Sequence, residues 1–211
     1  MTDGQEHAWR SWWPEFGRTL DAAPRPLDLD GWFGRAAPVI MEIGSGMGES
    51  TAALAAAAPG VNHLAVEVYQ PGLGQLLMRI HERGLTNLRL LRGDAVRVLR
   101  ELLPPATLDG IRLYFPDPWP KRKHHKRRLV QPEFAALAAD RLRPGGTLHL
   151  ATDWAHYAEQ MRRVCDAEPL LANTAPDGGW TPRPGWRPMT KFEQRAGEEG
   201  RQVRDLIYRR R

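Results

Sequence analysis

The feature that most constrains this chain is an alternation. From residue 39 to residue 153, short apolar or β-branched runs, VIMEIG (39–44), HLAVEV (63–68), LRLLRGD (88–94), IRLYFP (111–116) and TLHLATD (147–153), take turns with stretches of helical spacing at 49–58, 71–83, 95–103 and 132–142. Pro71, Gly84 and the pair Gly145–Gly146 punctuate those stretches as start and stop signals. Parallel strands require long crossover connections, and helices that cross over a sheet put it between two helical layers. The expected fold class is therefore α/β, a doubly wound, mostly parallel, Rossmann-like sheet.

At 211 residues the chain is long enough for one substantial core and short for two, so a single domain spanning 1–211 is expected. Ahead of the alternating core (36–168), residues 1–35 form an N-terminal helical extension in which Trp9, Trp12 and Trp13 sit at helical spacing, the pattern of a packing stripe. A helix over about 154–166 closes the core. The segment 173–188 then holds four prolines and three glycines, a long irregular stretch of the kind that is a functional loop or a disordered one. A short helix over 190–200 and a last strand over 203–210 complete the C-terminal segment 169–211.

The net charge of +5 is local. Lys121–Arg128 hold six basic residues, more than the whole excess, and three of the four lysines of the chain lie among them (Lys121, Lys123 and Lys126). A concentrated basic patch suits a polyanion such as nucleic acid. No apolar run approaches the length of a membrane span, and the polar start MTDGQEH has no signal-peptide pattern, so a cytoplasmic protein that does not engage membranes is expected. The lone Cys165 reads as a partly buried helical thiol that fits a reducing compartment. His124 and His125 are adjacent, with no cysteine or carboxylate cluster beside them, and no metal site is expected.

Four strand ends carry chemistry. EIGSGMGE (42–49) follows the first strand and opens a helix, so Gly44, Gly46 and Gly48 can turn the chain tightly and bring backbone amides to a ligand. Its G-x-G-x-G spacing departs from the dinucleotide fingerprint. Glu42 precedes this loop, Glu67 ends the second strand, and Asp94, followed by Ala95, ends the third. Three strand-end acids would repel a pyrophosphate but accept from the ammonium and ribose hydroxyls of a cationic nucleoside, and S-adenosylmethionine is such a ligand. The fourth strand runs into FPDPWPK, where Pro116, Pro118 and Pro120 are expected to hold Phe115, Asp117 and Trp119 extended, with Asp117 projecting at the carboxyl end of the strand. Trp119 is placed either to stack on a base or to pack against the prolines.

EIGSGMGE, AVEV, RGDA, FPDPWPKRKHHKRR, ATDW and TKFEQR, in this order, resemble the bacterial tRNA (guanine-N7-)-methyltransferase family over about residues 8 to 210. The resemblance implies a class I methyltransferase fold with an antiparallel last strand, S-adenosylmethionine as cofactor and tRNA as partner, acting as a monomer or homodimer. It also implies transfer to N7 of the variable-loop guanine at tRNA position 46. By the same resemblance Glu42, Gly44, Gly46, Gly48, Glu67, Asp94, Ala95 and Asp117 hold the cofactor, and Asp117 is the catalytic residue. Lys121, Asp153, Thr190, Lys191, Phe192 and Glu193 are expected to meet the substrate, with the Glu193 carboxylate a candidate for the Watson–Crick edge of the base. Arg122, Lys123, His124, Lys126, Arg127 and Arg128 are expected along the RNA backbone. Two positions depart from the family: Lys123 stands before His124 where an arginine is usual, and Ala196 interrupts the usual ending of the TKFE segment. A methyltransferase of a small metabolite and a non-catalytic RNA-binding protein on the same scaffold are the two alternatives.

Overall fold

The computed structural model describes all residues, 1–211. The chain forms two compact units, Met1–Pro104 and Pro105–Arg211.

In the first unit the helix α1 (Asp3–Phe16) opens on a capping box, with the Thr2 hydroxyl accepting from the Gln5 amide and the Gln5 side chain accepting from the Thr2 amide. Four parallel strands follow, β1 (Gly17–Thr19), β2 (Val39–Ile43), β3 (Asn62–Glu67) and β4 (Leu88–Arg92), in the spatial order β1-β4-β3-β2. Their crossovers are α3 (Glu49–Ala57) and α4 (Gln70–Arg83), and α5 (Ala95–Glu101) leaves β4. A short α2 (Leu29–Phe33) precedes β2. The tryptophan stripe packs as its spacing predicts: Trp9 and Trp13 stack at 3.9 Å, Trp12 stacks on His81 of α4 at 4.1 Å, and all three border a core built from Leu73, Leu76, Leu77, Leu88 and Leu90.

The second unit carries β5 (Leu108–Tyr114), β6 (Leu142–Thr152), β7 (Leu171–Asn173) and β8 (Arg204–Arg210) in the order β5-β6-β8-β7. β5 and β6 are parallel, while β8 runs antiparallel to β6 and to β7, so the antiparallel last strand is present. Its helices are α6 (Pro132–Arg141), α7 (Ala155–Asp166) and α8 (Lys191–Glu198). Cys165 is fully buried in α7, where burial pushes its thiol up to about 12.

No helix is long and apolar enough to cross a membrane.

Candidate active site

In the first unit the three acids stand at consecutive strand ends. Glu42 is buried near the end of β2. The chain then turns through Gly44, Gly46 and Gly48 at φ 77°, 54° and 74°, left-handed values open to glycine without strain. A Cβ built on Gly44 or Gly46 meets no atom within 4 Å, so the outer face of the loop is bare backbone.

Glu67 organises that backbone. One of its carboxylate oxygens accepts from the Gly46 amide at 2.9 Å, and the other accepts from the Val68 and Tyr69 amides at 2.7 and 2.9 Å. Gly72 of α4 completes the arrangement: a Cβ there would lie 2.2 Å from the Gly46 carbonyl oxygen, so only glycine lets the helix approach the loop. Sequence reasoning missed Gly72, whose only signal was a glycine in the first turn of a helix that follows an acidic strand end.

Asp94 caps α5 by accepting from the Arg97 amide at 2.9 Å, with Ala95 as the first helical residue. Beside it a cleft of about 400 Å³ is lined by Leu20, Val68, Gly93, Asp94 and Arg97, among others. Bare glycine backbone, carboxylates at each strand end and an adjacent cleft fit a phosphate-free, cationic nucleoside. Among the residues expected from sequence at the cofactor, the structure brings together Glu67 and Gly46 by direct bonding; Asp117 lies in the second unit.

In that unit the Phe115 amide donates to the Ala151 carbonyl at 2.8 Å, extending the β5–β6 ladder by one rung, and the chain then leaves the strand. The expectation that Phe115 and Trp119 are extended is corrected: they adopt φ 51° and 42°. A following proline biases a residue away from the right-handed helical region and toward extended backbone, so both residues depart from their local preference. For residues with side chains that conformation costs on the order of 1–3 kcal/mol each, so surrounding contacts must hold it. Those contacts are visible: the Arg127 guanidinium lies 5.0 Å over the Trp119 ring, His124 meets the same ring edge-on at 5.9 Å, and Phe115 stacks near-parallel with Phe192 at 6.1 Å. Trp119 is thus partnered by the basic segment. Asp117 is exposed between the two turns.

The basic segment is a 3-10 turn, Arg122–Arg127, with Lys121, Arg122, Lys123, Lys126 and Arg127 exposed. Arg128, expected from sequence along the RNA backbone, is different. It is 2% exposed, and its guanidinium donates to the Pro118 carbonyl at 2.8 Å, the Gln160 side-chain oxygen at 2.8 Å and His156 Nδ1 at 3.0 Å. The side chain is folded inward onto these acceptors, away from the exposed face of the turn.

The C-terminal candidates divide in the same way. Lys191 and Phe192 are exposed at the start of α8, Phe192 at 68%. Thr190 caps that helix, its hydroxyl accepting from the Glu193 amide at 3.1 Å. The Glu193 carboxylate is buried and engaged on both oxygens, by Arg187 at 2.8 and 3.0 Å and by Arg183 at 2.6 Å. Arg187, fully buried, also bonds Asp205 at 3.0 Å. Asp205 in turn accepts from His149 Nε2 at 2.7 Å, and Tyr114 hydroxyl completes the chain to His149 Nδ1 at 2.9 Å. Burial lowers the His149 pKa below the ordinary histidine value, against the raising effect of its hydrogen bond to Asp205. This ionic hub, unannounced by the sequence, ties the proline-rich segment to β6 and β8. Asp153 does not cap α7; it pairs with Arg201 at 3.1 Å.

The wound α/β units and the strand-end acids define a Rossmann-like methyltransferase. A family model described as a putative methyltransferase matches residues 36–206. The antibiotic-resistance methyltransferase Kmr shares the fold over 87% of this chain and 91% of its own, with a TM-score of 0.59 at 16% identity. More specifically, the chain is 54% identical over 210 residues to a tRNA (guanine-N(7)-)-methyltransferase of Streptomyces avermitilis, covering all of this chain and 72% of that protein. It is 56% identical over 188 residues to the protein of the same name from Bordetella pertussis, covering 89% of this chain and 73% of that one. The chain belongs to the tRNA (guanine-N(7)-)-methyltransferase family.

Proposed function

We infer that this chain transfers the methyl group of S-adenosylmethionine to N7 of a guanine in tRNA, and we propose the variable-loop guanine at position 46 as the target, in the cytoplasm. The observation that carries the reading is the passage, within eleven residues, from an exposed carboxylate at a strand end to an exposed basic turn, in a chain more than half identical to proteins of that name.

The residues of the first unit suit the cofactor. Glu67 has carboxylate lone pairs for ribose hydroxyls, Glu42 provides negative charge for an ammonium group, Gly44 and Gly46 offer open backbone with Gly48 completing the turn against Leu76, and Asp94 with Ala95 borders the adjacent cleft. Bound S-adenosylmethionine supplies a methyl group made electrophilic by its sulfonium. Guanine N7 carries an in-plane lone pair and no proton, so no residue needs to act as a general base. The work left to the protein is alignment and charge: proximity and orientation supply most of the acceleration of a direct displacement. Methylation leaves a positive charge on the purine, and Asp117 would stabilise that charge or hold the base by accepting from its N1 and exocyclic amine hydrogens. Lys121, Arg122, Lys123, His124, Lys126 and Arg127 grip phosphates, and Lys191 and Phe192 meet the RNA from the start of α8, beside Thr190 and Asp153.

Incubation with methyl-labelled S-adenosylmethionine and unmodified tRNA transcripts, followed by digestion and mass spectrometry, tests this. The expected label is in 7-methylguanosine and disappears when the variable-loop guanine is replaced. Label in a different nucleoside overturns the substrate, and label that survives the replacement overturns the position.

A further inference from the structure

Among the basic residues that follow Asp117, Arg128 is set apart by burial, and the acid loop is set apart by backbone strain. The two facts meet at one bond. The Arg128 Nε donates to the carbonyl of Pro118, the residue next to Asp117, at 2.8 Å. Phe115 and Trp119, which flank that short span, both hold left-handed φ values. A loop of this kind persists only where its surroundings over-determine it.

The far side of the guanidinium rests in a cradle made by α7. Gln160 Oε1 and His156 Nδ1 accept from it, and the Tyr157 ring lies 4.8 Å beneath it. The cradle extends to the backbone on either side: the Val130 amide donates to the Tyr157 hydroxyl at 3.1 Å, and the Gln131 side chain donates to the carbonyls of His125 and Arg128. No carboxylate bonds Arg128, so its charge is buried against neutral acceptors alone, an arrangement that costs free energy and is retained where the geometry matters. Burial accordingly lowers its pKa.

We propose that Arg128 is a positioning residue for Asp117, bracing the strained acid loop against α7 from behind while its neighbours in the basic run face the RNA. The proposal rests on the reading of Asp117 as the acid of the site. It separates two arginines adjacent in sequence: Arg127 lies exposed over Trp119 on the outer side of the loop, and Arg128 holds the loop's inner side.

The test compares Arg128→Met and Lys126→Ala in the full chain with tRNA transcripts. A phosphate ligand, when removed, lessens the slope of log affinity against log salt by about one. Lys126→Ala is expected to behave so. Arg128→Met is expected to keep the salt slope, lower kcat by about 10-fold or more as a misplaced site group does, and speed hydrogen exchange at the amides of Phe115, Asp117, Trp119 and Lys121, the residues of 115–121 that carry one. Arg128→Lys, which can still reach the Pro118 carbonyl, is expected to recover part of kcat. Should Arg128→Met fail to fold, Gln160→Met decides the matter: it removes one acceptor on α7 and is expected to lower kcat at an unchanged salt slope, and an unchanged kcat overturns the proposal. A loss of slope with kcat retained in Arg128→Met overturns it too, as does unchanged exchange at 115–121. The exchange measurement reads the brace independently of chemistry. Full activity in Asp117→Asn would overturn the reading of the acid and leave that result standing.

Discussion

After β2 the chain turns through Gly44, Gly46 and Gly48, and after β5 it turns through Phe115 and Trp119, all at left-handed φ. The first turn uses residues that adopt such angles freely, and one carboxylate, Glu67, ties its Gly46 amide to the Val68 and Tyr69 amides beyond β3. The second places side chains where they are strained, and it is held by a guanidinium on each side together with a phenylalanine stack. The difference follows from what each loop presents. A cofactor loop offers its own backbone and works best with no side chains in the way. An acid loop must aim one carboxylate, and rigid prolines with bulky, well-packed neighbours fix that aim better than glycine does.

The comparison is broken most severely by crowding the glycine loop. Gly72→Ala puts a methyl group where the Gly46 carbonyl stands, so the loop must shift, and a shift approaching 1 Å is expected to weaken S-adenosylmethionine binding by about 10-fold or more. Calorimetry measures this directly. Because alanine favours a helix interior over glycine, a melting temperature that holds while affinity falls would assign the loss to the loop alone. Affinity equal to wild type would show that the close approach is dispensable. A smaller effect sharpens the other side: Lys126→Ala, on the exposed outer face of the basic turn, is expected to cost only the one phosphate contact read from the salt slope of tRNA binding.

Much of this was legible in advance because the informative residues lie beside strand ends in the sequence. The five core strands, and the places of Glu42, Glu67, Asp94 and Asp117 at or just beyond their ends, needed only periodicity and punctuation. β1 and β7 went unread because three residues cannot show a period of two, and α2 because five residues barely make one turn of an apolar stripe. Arginine burial was illegible for another reason. Sequence reports that Arg128 is charged, but its accessibility is decided by Gln160 and His156 on α7, some thirty residues on. Arg187 and Glu193 illustrate the same limit: the TKFE segment displays a glutamate, and only the folded chain shows both of its oxygens held. The prolines around Asp117 predicted extended backbone for Phe115 and Trp119, and the direction was wrong, because the preference of a residue before proline is a local bias that the rest of the fold overrides here.

Single-turnover methyl transfer to tRNA, measured for the wild type and for Asp117→Asn with cofactor and RNA both saturating, tests the central claim most directly. The account predicts 7-methylguanosine from the wild type and a rate lower by about 10²–10³-fold in the variant, the scale of losing one preorganised electrostatic contact to the transition state, with the affinity for tRNA kept within a few-fold. An Asp117→Asn protein that forms 7-methylguanosine at the wild-type rate would contradict it.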